Sequence, residues 1–293
     1  MAEVARDGED QLSPPGEVLT TVFYLHRQVN PPHWLEAFLG SIARYPAGAA
    51  YDLVILAKGG RAPGLDAALS GFLEAAPADV RQARVLELSD AGFDIHAYFA
   101  GAEKVETRYV LFFNSYSRVL GGNWLAAYER AMTRLPRPAM VGATAAWERL
   151  DGTTPFPNTH IRSNAMMLER AYWLTLERPG LEKRACNRFE AGTRGISRQI
   201  VEAGGGLGIV TRSGELVLPA DWPKVPVYRV DRQQQLLVAD NRTADFALSS
   251  YFRRMKLARL AWGTARGVRP AALGQWLRER RAWRAGEWPG DVA

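Results

Sequence analysis

Residues 18–25 (VLTTVFYL), residues 51–57 (YDLVILA) and Tyr109–Phe113 (YVLFF) are short runs dominated by apolar, β-branched and aromatic side chains. Such runs suit strands buried on both faces. Between them lie stretches with helical spacing. Pro31 and Pro32 open residues 33–45, which carry Trp34, Leu35, Phe38 and Ile42 on one side, and Pro46 closes them. Residues 67–73 read as a second helix and residues 83–88 as a further strand. Residues 94–105 form a helix with Ile95, Tyr98, Phe99 and Ala102 on one face, and Asn123 caps a helix that runs to Leu135. Strand and helix alternating with short turns predict a mostly parallel α/β sheet with helices on both faces. Ligands of such sheets bind at the carboxyl ends of the strands.

The second half reads as strands over 140–146, 161–168 and 207–211 and a helix over 195–203. Beyond residue 228 the chain is rich in Arg and Trp, with one long helix expected over 244–262 and a frayed basic end. The predicted organisation is a disordered tail (1–17), a folded domain (18–227) and a basic helical extension (228–293). The 293 residues, 47% of them hydrophobic, are enough for a full core. The formal charge of +6 and pI near 9.6 are a mild bias toward acidic partners. One cysteine and four histidines exclude a disulfide framework and a Cys/His zinc cluster. Cys186 has no histidine near it in sequence to make it a nucleophile, and His26 and His96 read as packed or surface residues. The acidic N-terminus is neither a signal peptide nor an anchor, and no apolar run is long enough for a transmembrane span. A cytoplasmic protein is expected, with peripheral contact at the inner face of the membrane through the C-terminal helix left open.

The strand YVLFF stops on Asn114, Ser115, Tyr116 and Ser117, where a metal-dependent phosphate enzyme would place carboxylates. Neutral amide and hydroxyl groups at a sheet edge can hydrogen-bond sugar hydroxyls, and simple strand termination is the other reading.

In order along residues 18 to 215, five segments resemble the GT-A fold of inverting glycosyltransferases, family 2 and its relatives in bacterial polysaccharide synthesis. "LTTVFYLHRQVNPPHWLEAFLGSI" is similar to the opening strand, turn and helix, with Asn30 at the turn. "YDLVILAKGG" resembles the nucleotide-binding strand, and "YVLFFNSYSRVLGGNWL" resembles the strand that carries the Asp-x-Asp motif. "HIRSNAMMLERAYW" is similar to the acceptor-side strand. "FEAGTRGISRQIVEAGGGLGIVTRSG" resembles the closing acidic motif, helix and short strand, which puts Glu190 where the family keeps its catalytic base. The chain departs from the pattern twice, with Ala57 and Lys58 and then Asn114 and Ser115 in place of acidic residues. Amide and hydroxyl oxygens hold hard cations weakly, so weak or absent metal dependence is expected, with Mg²⁺ or Mn²⁺ left open and no metal ligands assigned.

The resemblance implies transfer of a sugar from a nucleotide-sugar donor to a glycan or lipid-linked acceptor in cell-surface polysaccharide synthesis. Glu190 is the candidate base; its alternative is stabilising a helix N-terminus. Asp94 is the second catalytic candidate, with N-capping as its alternative. The donor side takes Asn30, Lys58, Asn114, Ser115, Ser117 and Arg242. The acceptor side takes His160, Arg162 and Asn164. Lys58, His160 and Arg162 are the cations that could neutralise the diphosphate. Two other functions stay open: a non-catalytic GT-A module that binds a nucleotide sugar or glycan, and, least expected, a basic nucleic-acid-binding protein.

Overall fold

A computed structural model of the chain describes residues 18–75, 78–149, 154–264 and 273–284. The tail expected over 1–17 and the extreme C-terminus lie outside the described residues. The first half alternates β1 (Thr20–Arg27), α1 (Pro32–Arg44), β2 (Tyr51–Lys58), α2 (Leu65–Glu74), β3 (Val80–Leu88), α3 (Asp94–Ala102) and β4 (Tyr109–Phe113). There follow β5 (Arg118–Val119), α4 (Trp124–Arg134), β6 (Ala139–Gly142), β7 (Ala145–Ala146), β8 (His160–Ile161), β9 (Ala165–Glu169), α5 (Arg170–Thr175), α6 (Lys183–Ala191) and α7 (Ile196–Glu202). The chain closes with β10 (Gly206–Val210), β11 (Leu216–Val217), β12 (Val238–Ala239), α8 (Asn241–Leu248), α9 (Tyr251–Trp262) and α10 (Leu273–Arg284).

Eight strands form one sheet in the order β11-β10-β6-β9-β4-β1-β2-β3. All neighbours are parallel except β9, antiparallel to β4 and β6, and β11, antiparallel to β10. The expected α/β class with a mostly parallel, two-sided sheet and a C-terminal helical portion is the observed one. The period-two geometry of a strand explains why the apolar runs contain so few polar residues. On β1, Phe23 and Leu25 face one core with Tyr98 and Phe99 of α3, while Val22 and Tyr24 face the other with Phe38 and Ile42 of α1.

Three expectations change. The single strand over 140–146 is β6 and β7, and the single strand over 161–168 is β8 and β9. Both are interrupted where Thr144 and Asn164 meet, Thr144 Oγ1 donating to Asn164 Oδ1 at 2.6 Å. The long helix over 244–262 is α8 and α9. Ser249 ends α8 in extended backbone, its hydroxyl donating to the Asp245 carbonyl at 2.6 Å, and Ser250, also extended, precedes the first turn of α9. The helix α6 was not expected, because its sequence, KRACNRFEA, offers few apolar side chains to mark a periodicity.

The segment after residue 227 shares the main core. β12 pairs with β5, and Tyr228, Leu236 and Trp262 are buried among the core aromatics. Trp262 donates from Nε1 to the Tyr228 carbonyl at 2.8 Å and meets Trp147 edge-on. In this way α9 is laid across the open end of the sheet, where it becomes a wall of the cleft described next.

Candidate active site

The parallel register aligns Arg27 with Lys58 on β1 and β2, and Tyr24 with Phe113 on β1 and β4, so the three strands end on one edge. Beyond that edge lie two adjoining cavities. The smaller, about 250 Å³, is lined by Asn30, Lys58, Asp94, Asn114, Ser115 and Tyr116 among others. The larger, about 1000 Å³, is lined by His160, Arg162, Asn164 and Arg242, with α9 supplying Leu257, Arg259 and Leu260. Asn114, Lys183, Asn187 and Glu190 line both. The candidates named from sequence for the donor and for the acceptor therefore fall into separate compartments, with three exceptions. The donor candidate Asn114 borders both, Arg242 lies in the larger one, and Ser117 lines neither.

Glu190, near the C-terminus of α6, stands at the junction. Burial and then the neighbouring Asp94 charge push its carboxyl up to about 8, against the opposing effects of a hydrogen bond from Ser163 and the Arg162 charge. Asp94 opens α3, and its Oδ1 accepts from the Ile95 N–H at 3.0 Å. Burial raises the Asp94 carboxyl as well. Two carboxyl groups that disfavour each other's ionisation in a cleft are the usual arrangement of an acid–base site.

The β4 turn answers what its polar cluster does. Asn114 Oδ1 accepts from the Tyr116 N–H and lies 3.0 Å from Ser117 Oγ, which also sits 2.7 Å from the Asn164 carbonyl. Ser115 Oγ donates to the Leu25 carbonyl at 2.8 Å, and its own carbonyl accepts from Tyr24 Oη. Ser117 is a buried bracket rather than a donor contact. What remains for a ligand here is the Asn114 amide nitrogen and the Tyr116 ring, which is 41% exposed and packs against Trp34.

The resemblance places a divalent cation at this turn, and the groups present do not fit one. Both Asn114 Oδ1 and Ser115 Oγ are committed to internal hydrogen bonds, and neither brings the negative charge that Mg²⁺ or Mn²⁺ demands of its ligands.

Lys58 reaches the smaller cavity but is not a free cation. Its side chain is 2% exposed and its ammonium donates to Asp90 Oδ1 at 3.0 Å and to the Asp90 carbonyl. Lys58 holds the Asp90 carboxyl below the ordinary carboxylate range, and Arg27 adds to the effect. The positive φ of Gly59 and Gly60 lets the chain turn there, and Gly59 N–H bonds the last residue of β3. Asn30 Oδ1 accepts from the Arg27 N–H at 2.9 Å, so it shapes the turn it was expected to occupy.

On the acceptor side, His160 donates from Nδ1 to the Asn158 carbonyl at 2.8 Å, and burial lowers its pKa, which works against the cationic role expected of it. Arg162 is charged but already neutralised. Burial opposes the charge, yet Asp240 at 2.9 Å, Tyr228 and Glu148 outweigh it and raise the pKa. Its guanidinium also lies 4.5 Å from the Tyr228 ring centre. Asn164 is 1% exposed and keeps an amide nitrogen with no partner among the described residues.

The sequence reading missed several contributors. Lys183 lines both cavities from the start of α6, and its charge acts on Asp94. Asp90, Asp240 and the Glu148–Arg229 pair hold the cationic side chains in place. His96, distant in sequence, stands 3.7 Å from Cys186. Burial pushes the thiol up to about 11, so it stays protonated.

Neither a protein-family model nor a curated protein sequence matches the chain. Solved structures do resemble it. One is a mannosyltransferase from Pyrobaculum calidifontis, solved with GDP-Man and Mn²⁺, at 14% identity and TM-score 0.42 over 61% of this chain and 53% of that one. Others are GalNAc-T7 with UDP, GalNAc and Mn²⁺ (13%, TM-score 0.39, 53% and 35%) and the glycosyltransferase GlyE of Streptococcus pneumoniae (13%, TM-score 0.36, 53% and 36%). These three are glycosyltransferases. The match spans about half the length of the first and about a third of the other two, and it does not single out family 2. No helix among the described residues is long and apolar enough to cross a membrane.

Proposed function

We propose that the chain is an inverting glycosyltransferase that moves a sugar from a nucleotide-sugar donor to a glycan or lipid-linked acceptor in cell-surface polysaccharide synthesis. The observation that carries the reading is the position of Glu190, a half-buried carboxyl with a raised pKa at the one place where two cavities at the carboxyl edge of a parallel sheet meet. The donor lies in the smaller cavity, its base against the Tyr116 ring and its sugar toward Asn114. The acceptor enters from the larger one. Glu190 takes the proton of the acceptor hydroxyl as that oxygen bonds to the anomeric carbon, and the bond from that carbon to the diphosphate oxygen breaks on the opposite side. Lys183, at the junction, balances the charge that develops on the departing diphosphate. Asp94 keeps Glu190 basic through its own charge and offers an acceptor for a sugar hydroxyl.

A thermal-shift screen of nucleotide sugars, followed by hydrolysis of the ones that bind, tests the reading. Failure of every nucleotide sugar to raise the melting temperature would sink it. A second reading, a binding module without catalysis, is favoured by the internal commitment of the Asn114 and Ser115 oxygens. Binding without hydrolysis or transfer would select it.

Divalent metal should change donor affinity by less than tenfold, about 1.4 kcal/mol, since Asn114 Oδ1 and Ser115 Oγ are already committed to internal hydrogen bonds and carry no charge. Calorimetry with Mn²⁺ and with EDTA checks this. An absolute Mn²⁺ requirement would overturn it and point to Asp94 and Glu190.

A further inference from the structure

We propose that the larger compartment takes a ligand bearing a phosphate or diphosphate group, held by Arg149, Arg242 and Arg259. That this ligand is the sugar acceptor rests on the glycosyltransferase reading. Three separate segments supply the guanidinium groups: the loop after β7, the start of α8 and the last turn of α9. All three line one cavity of about 1000 Å³.

The other arginines of that cavity have structural partners. Arg229 is paired with Glu148 at 2.6 Å and Arg162 with Asp240 at 2.9 Å. Arg149, Arg242 and Arg259 are exposed, and none of their guanidinium groups has a hydrogen-bond or carboxylate partner among the described residues. Exposed arginines elsewhere on the molecule, such as Arg61, Arg178 and Arg253, do reach carboxylates. With Arg162 and Arg229 neutralised, the wall carries these three charges and Lys183 against Glu190 alone. Like charges facing one another across a cleft are unfavourable until an anion lies between them, and guanidinium groups match phosphate oxygens two at a time.

The lip of the cavity is of another kind. Phe156 and Leu260 line it while 43% and 52% exposed, so a hydrocarbon chain attached to the phosphate would have apolar surface to lie against. A phosphate joined to a lipid and a free sugar phosphate share the anion and differ only at that lip.

The test titrates the full-length protein by calorimetry with inorganic pyrophosphate, octyl phosphate and, as the uncharged control, octyl glucoside, at low and moderate salt. Pyrophosphate and octyl phosphate should bind, more weakly as salt rises, and octyl glucoside should bind far less. The double variant R242A/R259A should weaken both anions at least tenfold, with R242K/R259K between it and the parent. Melting temperatures of the variants, at surface positions, should stay within a degree or two. L260A separates the sources: loss for octyl phosphate alone supports a lipid-linked ligand, and equal behaviour of both anions supports a soluble one. Unchanged pyrophosphate affinity in R242A/R259A overturns the proposal. So does a parallel tenfold loss for UDP or GDP, which would return these arginines to the donor. If no nucleotide binds the parent protein while pyrophosphate still depends on Arg242 and Arg259, the glycosyltransferase reading fails and the anion site stands.

Discussion

Replacing Glu190 by Gln should lower kcat by about 10² to 10⁴, or roughly 3 to 5 kcal/mol of barrier, while donor affinity stays within a factor of a few. The amide keeps the shape of the side chain and removes its ability to take a proton. Two independent signatures accompany the loss. In the parent enzyme kcat/KM should rise with pH and level off above about 8, where Glu190 is ionised, and the variant should lack that limb. Stability carries the opposite sign. The folded-state pKa lies above the ordinary carboxyl value of 4.5, so the folded state binds the proton more tightly. The stabilising contribution is complete below about pH 4.5 and is lost as pH rises through about 8. The parent should therefore lose more melting temperature than E190Q between pH 6 and pH 9. Activity retained in E190Q with a falling melting temperature would make the residue structural, and Asp94 would be the next candidate base.

Asp240→Ala should cost about 3 to 5 kcal/mol, because one side chain does two jobs. Its Oδ2 accepts from Arg162 at 2.9 Å, and its Oδ1 accepts from the Arg242 and Thr243 N–H groups at the start of α8. The carboxylate is fully buried while Arg162 is 14% exposed, so the variant strands a guanidinium that water reaches only partly. The lost helix cap adds about 1 kcal/mol. At 2 to 4 °C per kcal/mol for a chain of this size or somewhat smaller, the melting temperature should fall on the order of 10 °C. Asp240→Asn, which can still cap α8, should lose less. A drop under about 2 °C for the Ala variant would show that Arg162 is held by Glu148 and Tyr228 without Asp240.

The parallel half of the sheet was legible because its strands are hydrophobic on both faces. Tyr109–Phe113 was placed to the residue, since a polar turn follows it at once. The strands near the acceptor side were harder. A run such as residues 161–168 is apolar enough for one strand, and only the side-chain bond between Thr144 and Asn164 shows that the ladder is interrupted there. The site residues divide along similar lines. Glu190 and Asp94, 96 residues apart in sequence, were each visible from local setting and were brought together by the fold. What stayed hidden were partners. Lys58 read as a loop lysine or a phosphate ligand because nothing in sequence ties it to Asp90, 32 residues on, and Arg162 gave no hint of Asp240. Long-range ion pairs leave no periodic trace, whereas caps and strand ends do.

Lys183, Asn187 and Glu190 stand at positions i, i+4 and i+7 of α6, one stripe of a single helix, and that stripe borders both compartments. In steady-state terms α6 is a shared wall, and the two Michaelis constants are not independent readouts of it. A change at Asn187 should move the KM of donor and acceptor together. A change at Asn30 or at Arg242, each facing one room only, should move one and leave the other. Kinetic dissection of this cleft therefore begins at its outer walls.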